Sequence, residues 1–369
     1  MNTLPDSALA AVFAAAGQPL ELQSLPMPVL REGEALARVT CCTVCGSDLH
    51  TYQGHRSTPV PTVLGHEILG EIVALGPGEP VIDHSGRPLE IGERVTWSIA
   101  ASCGRCFFCT HGIPQKCERL FKYGHEAITP DHPLSGGLAE YCHLAPGTAV
   151  VRAPADLPDA VACPANCATA TVAAALRTGG GCRDEAVLVQ GVGMLGLTAC
   201  AMARAQGAYE VIACDVDAAR LAAAERFGAT RCVLADDADA LKGAVAAATD
   251  GRGVDLALEL SGAAAAMEAG LDLLRIGGRY VLVGAVFPGP AVAVSPESVI
   301  RRLLSIHGLH NYTPADLAKA VAFLADNHAR YPFADLVAET FPLSEADAAF
   351  QHAIQGRAHR VAVRPSGVV

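Results

Sequence analysis

A chain of 369 residues, 51% hydrophobic and 18% charged, is too long for one ordinary core and apolar enough to build two. Its net charge of −11, with no run of Lys or Arg, argues against a nucleic-acid partner, whose phosphates would be repelled. A mean hydropathy of +0.30 raises the question of a membrane, but no window offers the roughly 18 uninterrupted apolar residues of a spanning helix.

The first apolar stretch, "ALAAVFAAAG" (8–17), has the look of a signal-peptide core. It lacks a basic segment before it, the acid Asp6 precedes it, and it runs into "QPLELQSLPMPVL", which reads as alternating strand and turn. A soluble, unexported, cytoplasmic protein without a membrane partner is expected. In a reducing compartment the fourteen cysteines are buried thiols or metal ligands rather than a disulfide framework.

To about residue 160 the chain is rich in Gly, Pro, His and Cys. Short runs such as "EALARVT", "EILGEIVALG" and "ERVTWSIA" are separated by turns such as "DHSGRPL" and "PLSGG", which predicts irregular, mostly β structure. From about Cys167 the texture changes. Apolar runs ("AVLVQG", "EVIACD", "VDLALELSG", "RYVLVGAV") alternate with helical stretches ("LGLTACAMARAQ", "ARLAAAERFG", "AAAAMEAGLDLLRIGG"), the pattern of a parallel sheet covered on both faces. After about His310, "TPADLAKAVAFLADN" and "SEADAAFQHAIQG" predict two more helices, and "RVAVRP" a final strand.

In "SCGRCFFCTHGIPQKC", Cys103, Cys106, Cys109 and Cys117 are separated by two, two and seven residues. Such gaps let thiolates converge on one tetrahedral ion, and four thiolates leave no open position, so the ion would be structural. An iron–sulfur cluster also accepts four thiolates, and the spacing leaves that open. In "VLVQGVGMLG", Gly191, Gly193 and Gly196 form G-x-G-x-x-G after a strand and at the head of a helix, with Met194 and Leu195 in the first helical turn. Asp215 ends the next strand, where an acid accepts ribose hydroxyls and repels a 2′-phosphate, favouring NAD over NADP, with Arg220 nearby to soften that preference. "CTVCGSDLH" and "VLGHEILG" add a Cys–His pair with hydroxyl and carboxylate neighbours. His55, His84, His132 and His352 read as ordinary core or surface residues.

With these blocks in this order, the chain resembles the zinc-dependent medium-chain alcohol dehydrogenases over nearly its whole length. The resemblance implies an α/β protein: a GroES-like β-rich catalytic domain over 1–167 and 311–369, carrying the structural zinc lobe 103–117, and a Rossmann doubly wound coenzyme domain over 168–310. It implies two zinc ions per chain, one held by Cys103, Cys106, Cys109 and Cys117, the other in the cleft between domains. Cys45 and His66 then match catalytic zinc ligands. The third falls in "ACPANCATATVAAAL", where Cys167 fits better than Cys163. Glu67 resembles an exchangeable fourth ligand. By the same likeness Ser47 takes the alcohol's proton, His50 relays it to solvent, and Asp48 orients His66. Gly46 stands where some members carry a cation for the pyrophosphate, so that duty passes to Arg360 or to backbone amides. The turn 76–93 is longer than in many relatives.

The expected activity is hydride transfer between an alcohol and NAD, giving an aldehyde or ketone, in a homodimer or homotetramer. A zinc-free quinone or enone reductase would lack the three thiolate and imidazole ligands. A non-catalytic NAD- and zinc-binding protein and a dehydrogenase for a polyol or an anionic, phosphonate-type alcohol are the alternatives. The latter draws on similarity to a bacterial branch associated with phosphonate catabolism. Trp97, Ile99 and Tyr123 are expected to line the substrate pocket, and Arg119, Lys122 and His125 to form a solvated face.

Overall fold

The computed structural model describes residues 4–356 and 359–365. The chain divides into two compact units, 1–167 with 313–328 and 333–369, and 168–312 with 329–332. Among the described residues no single helix is long and apolar enough to cross a membrane.

The first unit is β-rich. The stretch with the look of a signal core is the strand Ser7–Phe13, alternately exposed and buried at its start and paired antiparallel with Glu21–Pro26. The larger sheet runs in the order Val150–Arg152, Arg94–Trp97, Glu67–Leu75, Ala35–Thr43, Arg360–Arg364, Val337–Pro342. Its three middle strands matter most for the site. Thr43 stands opposite Glu67 on one side and Ala362 on the other, so Arg360 arrives at the same end of the sheet as Glu67. Beneath them lies a core containing Ile68, Ile72, Trp97, Tyr123, Phe350 and Val361.

The long turn 76–93 is a small hairpin rather than a loose loop. Asp83 accepts hydrogen bonds from the N–H groups of Ser85 (2.8 Å) and Arg87 (2.9 Å). Arg152 clamps it, reaching Asp83, Glu93 (2.6 Å) and the Pro88 carbonyl (2.6 Å).

The second unit is a six-stranded, all-parallel sheet in the order Arg231–Leu234, Glu210–Asp215, Ala186–Gln190, Val254–Glu259, Leu274–Leu282, Ser305–Gly308. The strand order doubles outward from Ala186–Gln190, which is the doubly wound arrangement. One expectation fails locally. The helix predicted over "AAAAMEAGLDLLRIGG" ends at Leu273, and Leu274 already begins a strand that runs through the Gly277–Gly278 pair. Paired glycines favour leaving the helix.

Candidate active site and dinucleotide-binding turn

Cys45 is the N-cap of the helix Gly46–Tyr52, and its backbone N–H donates to Asp48 Oδ2 (2.9 Å). The other Asp48 oxygen lies 3.0 Å from His66 Nδ1. One buried carboxylate therefore both caps the helix and fixes the ring. A carboxylate only accepts, so Nδ1 carries the hydrogen and Nε2 is left facing the cluster. Ser47 Oγ sits 3.4 Å from that Nε2.

Cys45, His66, Glu67 and Cys167 bring one donor atom each to within 4.8 Å of one another. Cys163 does not join them. Its thiol is buried and donates to the carbonyls of Glu67 (3.2 Å) and Cys41 (3.3 Å). Asn166, which sequence reasoning passed over, braces the approach by donating to the carbonyls of His66 and Trp97, both at 2.9 Å. Its position beside Cys167 was the available signal.

The protonation pattern fits a metal centre. A hydrogen bond from Cys167 holds the Cys45 thiol well below its usual range against burial, with Arg360 and His66 assisting. Cys167 is pushed up by that same bond and by burial. Burial opposes charge on His66, but Asp48 and Cys45 prevail and carry it up to about 10. Two cysteine sulfurs and an imidazole packed this tightly are a donor set that suits a zinc ion.

Glu67 is fully buried. Arg360 grips it with Nε on Oε2 (2.7 Å) and Nη2 on Oε1 (2.8 Å), and Thr43 Oγ1 donates to Oε2 (2.6 Å). Burial raises the Glu67 carboxyl and Arg360 works against it. Arg360 Nη2 also reaches Cys45 Sγ at 3.4 Å, and Nη1 donates to the His359 carbonyl. The guanidinium expected to meet a pyrophosphate is thus engaged with the cluster itself.

The second cysteine group is equally tight. Cys106 Sγ lies 3.5 Å from Cys109 Sγ and 3.8 Å from Cys117 Sγ, and all four donors lie within 4.8 Å. Sulfurs about 2.3 Å from a tetrahedral zinc stand about 3.8 Å apart. These separations suit one ion, are too long for disulfides, and are too short to embrace a multi-iron cluster. N–H groups of Glu118 and Cys109 pull the Cys106 thiol down to about 6.

In the second unit the three glycines of the fingerprint do three different things. Gly191 has φ +87° and lies against Ser261, where a Cβ would come within 2.7 Å of the backbone. A Cβ on Gly196 would lie 2.0 Å from the Gly191 carbonyl. Gly193, the N-cap of the helix Met194–Ala205, faces open space. Met194 and Leu195 fill the first helical turn. Asp215 accepts from Val192 N–H (2.7 Å) and Asp217 N–H (3.0 Å). Gly191, Gly193, Asp215 and Arg220 line a cavity of about 490 Å³. Arg220 is half-exposed and pairs loosely with Asp217 at 3.8 Å. An open glycine at a helix N-terminus beside an acid is the cradle a dinucleotide requires.

Of the residues expected around the substrate, Trp97 and Tyr123 are fully buried in the core, edge to face, with Tyr123 Oη bound to Thr148 and Ala145. Ile99 is buried as well. Arg119 is exposed, whereas Lys122 is partly buried and His125 buried. A solvated face therefore describes Arg119 alone.

Residues 31–159 match the family model "Alcohol dehydrogenase GroES-like domain", and 194–326 match "Zinc-binding dehydrogenase". The chain is 32% identical over 346 residues to a sorbitol dehydrogenase of Halalkalibacterium halodurans, covering 93% of this chain and 95% of that one. It is 34% identical to the 5-exo-hydroxycamphor dehydrogenase of Pseudomonas putida, covering 86% and 88%. The crystal structure of an alcohol dehydrogenase from Thermotoga maritima superposes with a TM-score of 0.91 at 28% identity, covering 97% and 99%. This chain belongs to the zinc-dependent medium-chain alcohol dehydrogenases, oxidoreductases that use zinc and a nicotinamide dinucleotide.

Proposed function

We propose that this enzyme oxidises an alcohol to an aldehyde or ketone with NAD, using Cys45, His66 and Cys167 as the ligands of a catalytic zinc. The observation that carries this is the meeting of those three donors, with His66 Nδ1 locked by Asp48. Zinc held there supplies a Lewis acid that acidifies a bound hydroxyl, and the nicotinamide supplies the acceptor for its hydride. The balance is alcohol plus NAD⁺ giving carbonyl, NADH and one proton.

The chain's own residues manage that proton. Ser47 Oγ accepts it, being 3.4 Å from His66 Nε2. His50 lies one helical turn further on the same face and passes it toward solvent. Asp48 keeps Nε2 aimed at the cluster. Glu67, held by Arg360 and Thr43, is the exchangeable ligand in this reading. In the coenzyme unit, Gly191, Gly193, Met194, Leu195 and Gly196 form the phosphate-binding turn, and Asp215 takes the ribose hydroxyls, which favours NAD over NADP. Arg220 closes that cavity's rim. The cysteines 103, 106, 109 and 117 hold the structural zinc.

We also propose a cytoplasmic homodimer or homotetramer, in line with the family. The cytoplasmic reading is supported by fourteen cysteines held outside disulfides, six of them as proposed zinc ligands. The named relatives act on a polyol and a cyclic alcohol, so likeness alone does not select the substrate. A screen of primary, secondary, polyol and anionic alcohols, followed by absorbance of the reduced nicotinamide, tests the reading. Turnover of none of them by the zinc-loaded protein with NAD or NADP contradicts it.

A further inference from the structure

Two cations beside the proposed zinc site, Arg56 and Lys122, make no direct ion pair among the described residues, and Asp48 is the carboxylate whose charge favours both. The segment after the helix Gly46–Tyr52 turns back, with Arg56 N–H on the His50 carbonyl (3.1 Å). It then runs alongside residues 122–128. Thr58 Oγ1 donates to the His125 carbonyl (3.2 Å), Thr62 Oγ1 to the Glu126 carbonyl (2.6 Å), and Ile128 N–H to the Pro61 carbonyl (2.8 Å). Gly124 seats this second strip on the site, because a Cβ there would lie 2.8 Å from the Gly65 carbonyl. The His125 ring consequently lies 5.4 Å from that of His66. The strips that carry Arg56 and Lys122 therefore lie beside His66, a proposed zinc ligand.

Among the described residues no carboxylate ion-pairs with Arg56 or Lys122. Glu126, the near candidate, accepts the Lys122 backbone N–H (2.8 Å). The other charges nearby leave one of the two cations uncompensated. With zinc bound, two thiolates would balance it, Glu67 balances Arg360, and Asp48, hydrogen-bonded to His66 and the Cys45 N–H, leaves one negative charge against the two cations. His125 adds a further polar group. Its Nδ1 donates to the Tyr123 carbonyl (2.8 Å), which leaves Nε2 as a neutral acceptor. Burial pushes the Lys122 ammonium down to about 8, with Arg56 the next cause, as expected of two cations sharing one partly desolvated place. Partly buried like charges without a partner are costly unless an anion meets them.

We propose that the substrate is an alcohol bearing an anionic group, a carboxylate or a phosphoryl, which Arg56 and Lys122 hold while the hydroxyl lies at the zinc. This rests on the dehydrogenase reading above and names the substrate class for the same site. A fixed anion at one end orients a small flexible substrate, so its binding appears mainly in KM.

The experiment compares kcat/KM for 4-hydroxybutyrate and 3-hydroxypropyl phosphate with that for 1,4-butanediol, in the wild type, Arg56→Gln and Lys122→Gln. In parallel, butyrate, propyl phosphate and neutral butyramide are titrated calorimetrically into each zinc-loaded protein. The wild type is expected to prefer an anionic alcohol, and each variant to lower the anionic-to-neutral ratio about tenfold to a hundredfold. The preferred arm tells carboxylate from phosphoryl. Butyrate or propyl phosphate should bind the wild type and weaken in both variants, while butyramide should not bind. No anionic preference in the wild type, or equal losses for charged and neutral alcohols, overturns the proposal. Turnover of no alcohol at all refutes the dehydrogenase reading instead, and the titrations tell the two failures apart by reporting the anion site directly.

Discussion

Arg360 and Glu67 form a two-point buried ion pair, 2.7 and 2.8 Å, at the end of a sheet where Thr43 pairs with both flanking strands. Neither group has water to fall back on, with Glu67 at 0% and Arg360 at 7% exposure. Replacing Arg360 by Met is expected to cost about 3–5 kcal/mol by stranding the carboxylate. The double variant Glu67→Leu/Arg360→Met should recover most of that loss. Urea unfolding of the three proteins checks it. A double variant no better than the single one would show that the pair contributes beyond mutual neutralisation.

Asp48 acts on the metal through His66. Asp48→Asn keeps the size and removes the charge, so zinc affinity at the site should fall about 10–100-fold. Competition with a graded chelator reads this directly. The four-cysteine site, far along the chain, provides the internal control.

Asp215 both braces the glycine turn and faces the cofactor cavity. Asp215→Ser should raise KM for NAD and shift the NAD-to-NADP ratio of kcat/KM toward NADP by about tenfold. An unchanged ratio would take the discrimination away from this residue.

Much of this is legible in the sequence. Cysteine spacing, the glycine fingerprint and the alternation of apolar runs with Ala-rich helices depend on local periodicity, which sequence displays openly. Less visible were features that depend on register. That Thr43 and Arg360 converge on Glu67 follows from strand pairing across more than three hundred residues. The short strand Val337–Pro342, with no buried residue, offers no apolar run to read. Trp97 and Tyr123 are expected at the substrate pocket, yet both are fully buried and packed edge to face in the core. Arg56 carried no motif at all and matters through the strip packed beside it.

Lys122 gives a pH test with a definite sign. Its folded value near 8 lies below its ordinary 10.5, so between these the unfolded chain binds more protons. Stability from this group therefore rises with pH across that window. Arg56 and Lys116 face it as cations, Asp48 and Cys167 as acids. Lys122→Met should raise the melting temperature at pH 7, and the advantage should shrink as pH climbs from about 8 to 10.5. An advantage independent of pH would point to packing rather than charge.

The lobe 103–117 has only short helices, none with a buried residue, and leans on its four sulfurs. Cys109→Ser should release one zinc and open the lobe to proteolysis, since metal binding there is part of local folding. Cleavage confined to 103–117 is the expected pattern.

The decisive measurement is zinc content alongside hydride transfer in purified Cys45→Ser. With two donor clusters among the described residues, the wild type should carry about two zinc ions. The variant should keep about one, remain folded, and reduce no NAD with any alcohol that the wild type oxidises. A variant that retains both ions and full turnover would contradict the assignment of Cys45, and with it the site described above.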